Sequence, residues 1–307
     1  MVNIPAIFKV LRPTHWVKNL SLFAALLFSQ SLFEPVLFDK VFWAFIAFNF
    51  AASATYIFND LIDVKRDRLH PIKKDRPLAS GKLPIPLAIF MLVVLALVAL
   101  YIANTLSYFF YVLLLAYLIL QVLYSTLLKH IAVVDIIVIA TGFVVRVYSG
   151  AFVIDAHLSV WFLLCVISFA LFLASGKRRA ELGALGANSQ TRETLSKYPV
   201  ELLNSYVTMF GNAAWMSWSL FTFFESPRIS TSLWILLAEL SKAAAVNKLL
   251  MITIPFTIFG VMRYESLIFE NRSEAPEKLL LTDISLITSV LLWVGIVILI
   301  LYSGISI

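Results

Sequence analysis

Long, nearly uninterrupted apolar runs leave this chain few folds to choose from. The stretches of about 84–104 and 106–125 carry no charged residue at all. A run of about 20 apolar residues matches the hydrocarbon thickness of a bilayer when it coils into a helix, because every backbone polar group is then satisfied within the segment. Composition agrees: 61% of residues are hydrophobic, 14% are charged and the mean hydropathy is +0.92. A water-soluble domain of 307 residues needs far more polar surface. The expected fold is all-α, a polytopic integral membrane bundle of about nine transmembrane helices forming one domain over residues 1–307. The spans are expected near 20–38, 41–59, 84–104, 106–125, 131–153, 158–176, 201–224, 248–264 and 282–302.

Charge is concentrated between these runs. Polar loops near 60–82, 177–200 and 265–281 hold most of it. With the N-terminus inside, 19 of the 24 lysines and arginines fall on one side of the membrane, which predicts a cytoplasmic N-terminus and an exterior C-terminus. The net charge of +6 is therefore a matter of topology and gives no reason to expect nucleic acid. Residues 1–19 read as a short interfacial helix anchored by Trp16 and Lys18, not as a cleaved signal peptide, since no small-residue cleavage site follows. The stretch 226–247 reads as a short helix on the exterior interface. The single cysteine, Cys165, excludes an intrachain disulfide and a cysteine-built metal cluster.

One loop stands apart. From Asn59 to Lys82 the chain reads N-D-L-I-D-V-K-R-D-R-L-H-P-I-K-K-D-R-P-L-A-S-G-K. Asp60, Asp63 and Asp67 recur at intervals of three and four, which on a continuing helix places three carboxylates on one face, with the Asn59 amide close by. Such carboxylates repel one another unless a dication sits among them. Magnesium takes one or two carboxylates and fills its remaining positions with water and phosphate oxygens. The cations that follow, Arg68, His70, Lys73, Lys74, Arg76 and Lys82, suit phosphate oxygens left exposed by the metal. The local chemistry reads as a magnesium–diphosphate site at a membrane surface. A solvated loop obeying the positive-inside tendency explains the cations but not the register of the aspartates.

The fifth expected span holds two charged residues, Asp135 and Arg146. Charge inside a span usually faces a bundle interior or a wet cavity. Eleven residues separate the two, too far for contact along one helix, so each needs another partner. For Arg146 both a structural helix contact and a place on the floor of a substrate cavity are open.

The segment Y-I-F-N-D-L-I-D-V-K-R-D-R resembles the first aspartate motif of the UbiA-type superfamily of intramembrane prenyltransferases. L-R-P-T-H-W-V-K-N at 11–19, H-P-I-K-K-D-R-P-L-A-S-G at 70–81, L-K-H-I-A-V-V-D at 128–135, G-K-R-R-A-E-L at 176–182, I-P-F-T-I-F-G-V-M-R-Y at 254–264 and P-E-K-L-L-L-T-D at 276–283 narrow the likeness to its decaprenyl-phosphate phosphoribosyltransferase branch. The resemblance implies a bundle opening to the cytoplasm in a cell (inner or plasma) membrane. It also implies transfer of a 5-phosphoribosyl group from phosphoribosyl diphosphate to a polyprenyl phosphate, feeding the lipid-linked arabinose donor of cell-wall arabinan.

One departure from ordinary prenyltransferases bears on the substrate. Where those relatives carry a second aspartate-rich motif, this chain has Lys177, Arg178, Arg179 and only Glu181. A donor with both a diphosphate and a 5-phosphate, meeting an acceptor that is itself a phosphate, calls for more fixed cation. Asn59, Asp60, Asp63 and Asp67 are accordingly expected to hold Mg2+, with the three aspartates catalytic. Lys18, Asn59, Lys73, Arg76, Lys129, Arg146, Lys177 and Arg178 are expected to bind substrate. Expected partners are phosphoribosyl diphosphate, polyprenyl phosphate and the bilayer, with homo-oligomerisation left open. The alternatives are a prenyltransferase using prenyl diphosphate with an aromatic or haem acceptor and, in another class, a transporter or lipid flippase.

Overall fold

The computed structural model describes residues 4–69, 73–185, 198–225, 246–270, 279 and 282–302. Among them there are helices and turns and no strand. Most of the stretch 226–247, expected to be an interfacial helix, and much of the second and third polar loops lie outside the described residues.

The chain begins with α1 (Ile4–Leu11) and a 3-10 helix (Pro13–Phe23). Then come α2 (Ala24–Phe28), α3 (Pro35–Leu69), α4 (Ile85–Leu106), α5 (Tyr108–Thr126) and α6 (Val134–Val153). After them follow α7 (Val160–Leu185), α8 (Val200–Phe224), α9 (Ile254–Phe269) and α10 (Ile284–Tyr302). Prolines set several starts. Pro13 and Pro35 open their helices, while Pro86 and Pro255 stand at the second helical position of α4 and α9, where a missing N–H costs nothing.

Among the described residues, seven helical stretches are long and apolar enough to cross a membrane: α3, α4, α5, α6, α7, α9 with the turn before it, and α10. They match seven of the nine expected spans. The seventh expected span is α8, a helix of 25 residues that is long enough but too polar to count among the seven.

The first expected span is corrected. Residues 20–38 do not form one helix but divide among the end of the 3-10 helix, α2, a turn and the start of α3. Gln30 takes a left-handed φ of 60°, which breaks helical continuity, and Pro35 starts a new helix. Asp39, which falls between the first two expected spans, lies inside α3.

The chain packs as two compact units. Among the described residues, the first comprises 4–24, 36–69 and 73–156, and the second 25–35, 157–185, 198–225, 246–270, 279 and 282–302. In the first unit α5 packs on α4 and α6, and α6 packs on the 3-10 helix. That last approach is close: a Cβ at Gly150 would run into the carbonyl of Leu22. Small residues at helix contacts are how membrane helices gain van der Waals packing without a hydrophobic driving force. α3 follows the same logic, burying Ala44, Ala47, Ala51, Ala52, Ser53 and Ala54. Large residues of α4 such as Phe90, Leu97 and Tyr101 stay exposed, as expected for a surface whose solvent is lipid.

In the second unit α7 packs on α8 and α9, and α9 packs on α8 and α10. Phe28 meets the rings of Phe162, Trp218, Phe221 and Trp293. The Tyr302 hydroxyl lies 2.9 Å from the Leu26 carbonyl and 3.0 Å from that of Leu27, and it accepts the Leu32 N–H at 3.0 Å. These contacts tie the broken segment after residue 24 into this unit.

Candidate active site

α3 is the element that positions the site. Its 35 residues reach about 52 Å at 1.5 Å per residue, well beyond an apolar thickness of about 30 Å. The helix therefore continues past its apolar stretch and carries Asn59, Asp60, Asp63 and Asp67 on its last three turns. The expectation of a continuing helix with the aspartates in register holds.

Each carboxylate meets a cation from a different part of the first unit. Arg12 donates from Nη2 to Asp60 Oδ1 at 2.5 Å. Arg76 donates from Nη1 to the same oxygen at 3.0 Å and to Asp67 Oδ2 at 2.6 Å. Lys129 donates from Nζ to both oxygens of Asp63, at 2.9 and 3.1 Å. Asp60 and Asp67 are buried, at 2% and 5% exposure, whereas Asp63 and Asn59 are half-buried. Enclosing carboxylates this far from water is costly, and such charge-assisted bonds offset that cost.

The surroundings hold these cations in place. α1, α3, α4 and the loop between them share an apolar cluster of Val10, Ile57, Leu78, Leu83 and Ala88. Lys9 donates to the Asp75 carbonyl at 3.2 Å, joining α1 to the loop that carries Arg76. Trp16, expected as an interface anchor, donates its indole N–H to Ser53 Oγ, and Ser53 donates to the Leu11 carbonyl. The chain around Arg12 is thus pinned to α3.

Other expected residues divide. Lys18 lies half-buried in the 3-10 helix, and Lys73 lies half-buried in a short 3-10 turn, where its carbonyl accepts the Arg76 N–H. Lys177 and Arg178 are on α7, in the second unit; Arg178 is buried and paired with Glu181 one turn on. Asp135 is buried at the start of α6, and its Oδ1 accepts the next residue's N–H.

Arg146 is not brought to the aspartates. Its Nε donates to Asn19 Oδ1 at 2.7 Å, Nη1 to the Gly142 carbonyl at 2.7 Å and Nη2 to the Tyr117 hydroxyl at 2.8 Å. Asn19 in turn donates to Asn49 at 2.6 Å, and the rings of Phe48 and Tyr117 flank the guanidinium. The side chain clamps the 3-10 helix, α5 and α6 together, which is the structural helix contact that its sequence left open beside a place in a substrate cavity.

Arg12 is the residue that sequence reasoning missed. A single arginine before a proline looks like an ordinary interfacial cation. Its partner is 48 residues away, so nothing local announces it.

Among the described residues no three His, Cys, Asp or Glu side chains form a ready-made metal cage. The donor set nevertheless fits magnesium. It consists of oxygen ligands in register on one rigid helix, and magnesium needs only one or two of them beside phosphate oxygens. Asp63 is the most accessible of the three carboxylates.

Comparison with known proteins agrees with the geometry. The UbiA prenyltransferase family model matches residues 20–179. Over 299 residues the chain is 34% identical to the decaprenyl-phosphate phosphoribosyltransferase of Mycolicibacterium smegmatis, covering 95% of this chain and 91% of that relative. It is 35% identical over 301 residues to the Corynebacterium glutamicum protein of the same name, covering 96% and 86%. In fold it matches a UbiA homolog from Archaeoglobus fulgidus bound to GPP and Mg2+, with a TM-score of 0.67 at 15% identity over 96% of this chain and 99% of that one. With its helical bundle and its aspartates in register at the end of α3, the chain belongs to the UbiA prenyltransferase family.

Proposed function

We propose that this multi-pass membrane protein transfers a 5-phosphoribosyl group from phosphoribosyl diphosphate to a polyprenyl phosphate of the decaprenyl type, releasing diphosphate. The observation that carries this reading is the nearly full-length identity of about one third to phosphoribosyltransferases acting on decaprenyl phosphate. The abundance of cation supports it: Arg12, Arg76 and Lys129 all contact the aspartates, and Lys177, Arg178 and Arg179 stand where ordinary prenyltransferases carry carboxylates.

The donor's diphosphate would bind at the face of α3. Asn59, Asp60, Asp63 and Asp67 would hold magnesium, which when bound supplies positive charge to the leaving diphosphate. Arg76 and Lys129 give bidentate and point-charge contacts to phosphate oxygens, with Lys73 beside them. Lys177 and Arg178 are candidates for donor phosphates, and Lys18 and Lys129 are candidates for either substrate. The acceptor's phosphate oxygen bonds to the anomeric carbon while the carbon–oxygen bond to diphosphate breaks, through a state with oxocarbenium character. The acceptor is already an anion, so no general base is required, and direct displacement inverts the anomeric centre. The prenyl tail stays among apolar helices or in lipid, and only its head has to reach the site.

The family match runs through parts of both compact units, which supports treating residues 1–307 as one catalytic domain. The excess of lysine and arginine on one side supports a site that faces the cytoplasm, in the cell membrane that the resemblance implies. The resemblance to the phosphoribosyltransferase branch implies that the product feeds the lipid-linked arabinose donor of cell-wall arabinan.

The test is mass spectrometry of the lipid made by purified protein from phosphoribosyl diphosphate, decaprenyl phosphate and Mg2+. A phosphoribosylated lipid with equimolar diphosphate is expected. Consumption of prenyl diphosphate with an aromatic acceptor instead would return the chain to the ordinary prenyltransferases.

A further inference from the structure

Asp60 Oδ1 serves two guanidinium groups, Arg12 at 2.5 Å and Arg76 at 3.0 Å. Any dication that takes this oxygen competes with both. Arg76 has a second carboxylate, Asp67 at 2.6 Å, to hold it in place. Arg12 has instead an aromatic ring: its guanidinium carbon lies 5.0 Å from the centroid of Tyr56, one helical turn before Asp60. A cation over a ring face keeps its attraction when its salt bridge opens. Arg12 also sits in a left-handed backbone conformation, φ 53° and ψ 60°, at the joint between α1 and the 3-10 helix. A non-glycine residue keeps that conformation only where its surroundings hold it. Here the His15 N–H bonds to its carbonyl at 2.9 Å, and Pro13 follows directly.

We infer that Arg12 is a donor-binding residue that exchanges partners. As the dication takes Asp60, the Arg12 head group is released from the carboxylate, stays over Tyr56 and bonds to the donor's diphosphate. This inference rests on the reading of the α3 aspartates as the metal–diphosphate site. It adds a consequence that the reading alone lacks. Arg12, Arg76 and Lys129 supply one positive charge for each of the three carboxylates. A dication entering alone meets that positive charge; a dication entering with a polyanion does not. Metal and donor therefore bind cooperatively, with Arg12 as the coupling residue.

The experiment measures free Mn2+ by electron paramagnetic resonance in the full-length protein in nanodiscs, first with Mn2+ alone and then with inorganic pyrophosphate. In Arg12→Gln, Mn2+ alone binds about tenfold tighter than in wild type, because a nearby positive charge is gone. Pyrophosphate then enhances Mn2+ binding about tenfold less than in wild type, because a charge-assisted hydrogen bond is gone. Arg12→Lys keeps the charge and shows the wild-type affinity for Mn2+ alone. Tyr56→Leu keeps Arg12 and the Mn2+-alone affinity but loses part of the pyrophosphate enhancement, which covers the case in which Arg12→Gln does not fold. An unchanged Mn2+-alone affinity in folded Arg12→Gln, or an unchanged pyrophosphate enhancement in Tyr56→Leu, overturns the exchange. If wild type shows the enhancement with pyrophosphate but not with phosphoribosyl diphosphate, the donor assignment fails and the exchange stands.

Discussion

Lys129 reaches across 66 residues of sequence to place its ammonium 2.9 and 3.1 Å from the two oxygens of Asp63. The contact joins the turn between α5 and α6 to the C-terminal end of α3. Lys129 is 93% buried as a side chain and Asp63 81%, so removing Lys129 leaves the Asp63 carboxylate largely desolvated without this cation. Lys129→Met is expected to lower thermal stability by about 1–3 kcal/mol and to reduce kcat/KM for the donor at least about tenfold. A double-mutant cycle with Asp63→Asn, read by thermal melts and by diphosphate release, checks both. Additive losses would show that the two residues do not act on each other.

Asp63 is also the most accessible carboxylate of the register, so it should be the one that substrate-borne metal meets first. Asp63→Ala is expected to lower diphosphate release by about 100-fold or more at saturating Mg2+. Chelation of the wild-type protein should abolish turnover, and added Mg2+ should restore it. Near-normal turnover in a folded Asp63→Ala protein would remove the metal assignment.

Arg146 should behave as a clamp. Arg146→Leu strips the Asn19 amide oxygen, the Gly142 carbonyl and the Tyr117 hydroxyl of their shared donor in a buried place. A stability loss of about 1–3 kcal/mol is expected, with the donor KM of the folded fraction within about twofold of wild type. A large rise in KM without a change in melting temperature would place Arg146 among the substrate-binding residues.

Gly150 is where α6 passes closest to the 3-10 helix. Gly150→Val forces bulk against the Leu22 carbonyl, which cannot move without shifting the segment that leads back to Arg12. A loss of about 1–3 kcal/mol is expected, readable as a lower melting temperature in detergent. Gly295→Val, where an added Cβ meets nothing within 4 Å, serves as the control and should melt like wild type.

Some of this was plain from the residues alone. The register of Asp60, Asp63 and Asp67 is a local property: helical period and a continuous helix suffice to align them. The uncharged spans α4 and α5 were equally legible, because their apolar runs leave no other satisfactory state for the backbone. The first expected span failed for a matching reason. Hydropathy sums the apolar character of residues 20–38 but does not register a left-handed Gln30 or a helix that starts at Pro35. α8 is the converse case: Asn204, Thr208, Asn212 and Ser219 dilute its hydropathy, yet the helix runs for 25 residues.

The amino-acid sequence by itself determined that the chain is a membrane-embedded helical bundle, and that one helix ends in a face of aspartates beside a basic loop. Both follow from short-range periodicity and from the cost of polar groups in lipid. Only the tertiary structure decided which cation meets which carboxylate, that Arg12 pairs with Asp60 and that Arg146 pairs with Asn19, Gly142 and Tyr117. Those pairings join residues 48, 66 and 127 positions apart, and the packing of α1, the 3-10 helix and the α5–α6 turn against α3 and α6 brings them within hydrogen-bond distance.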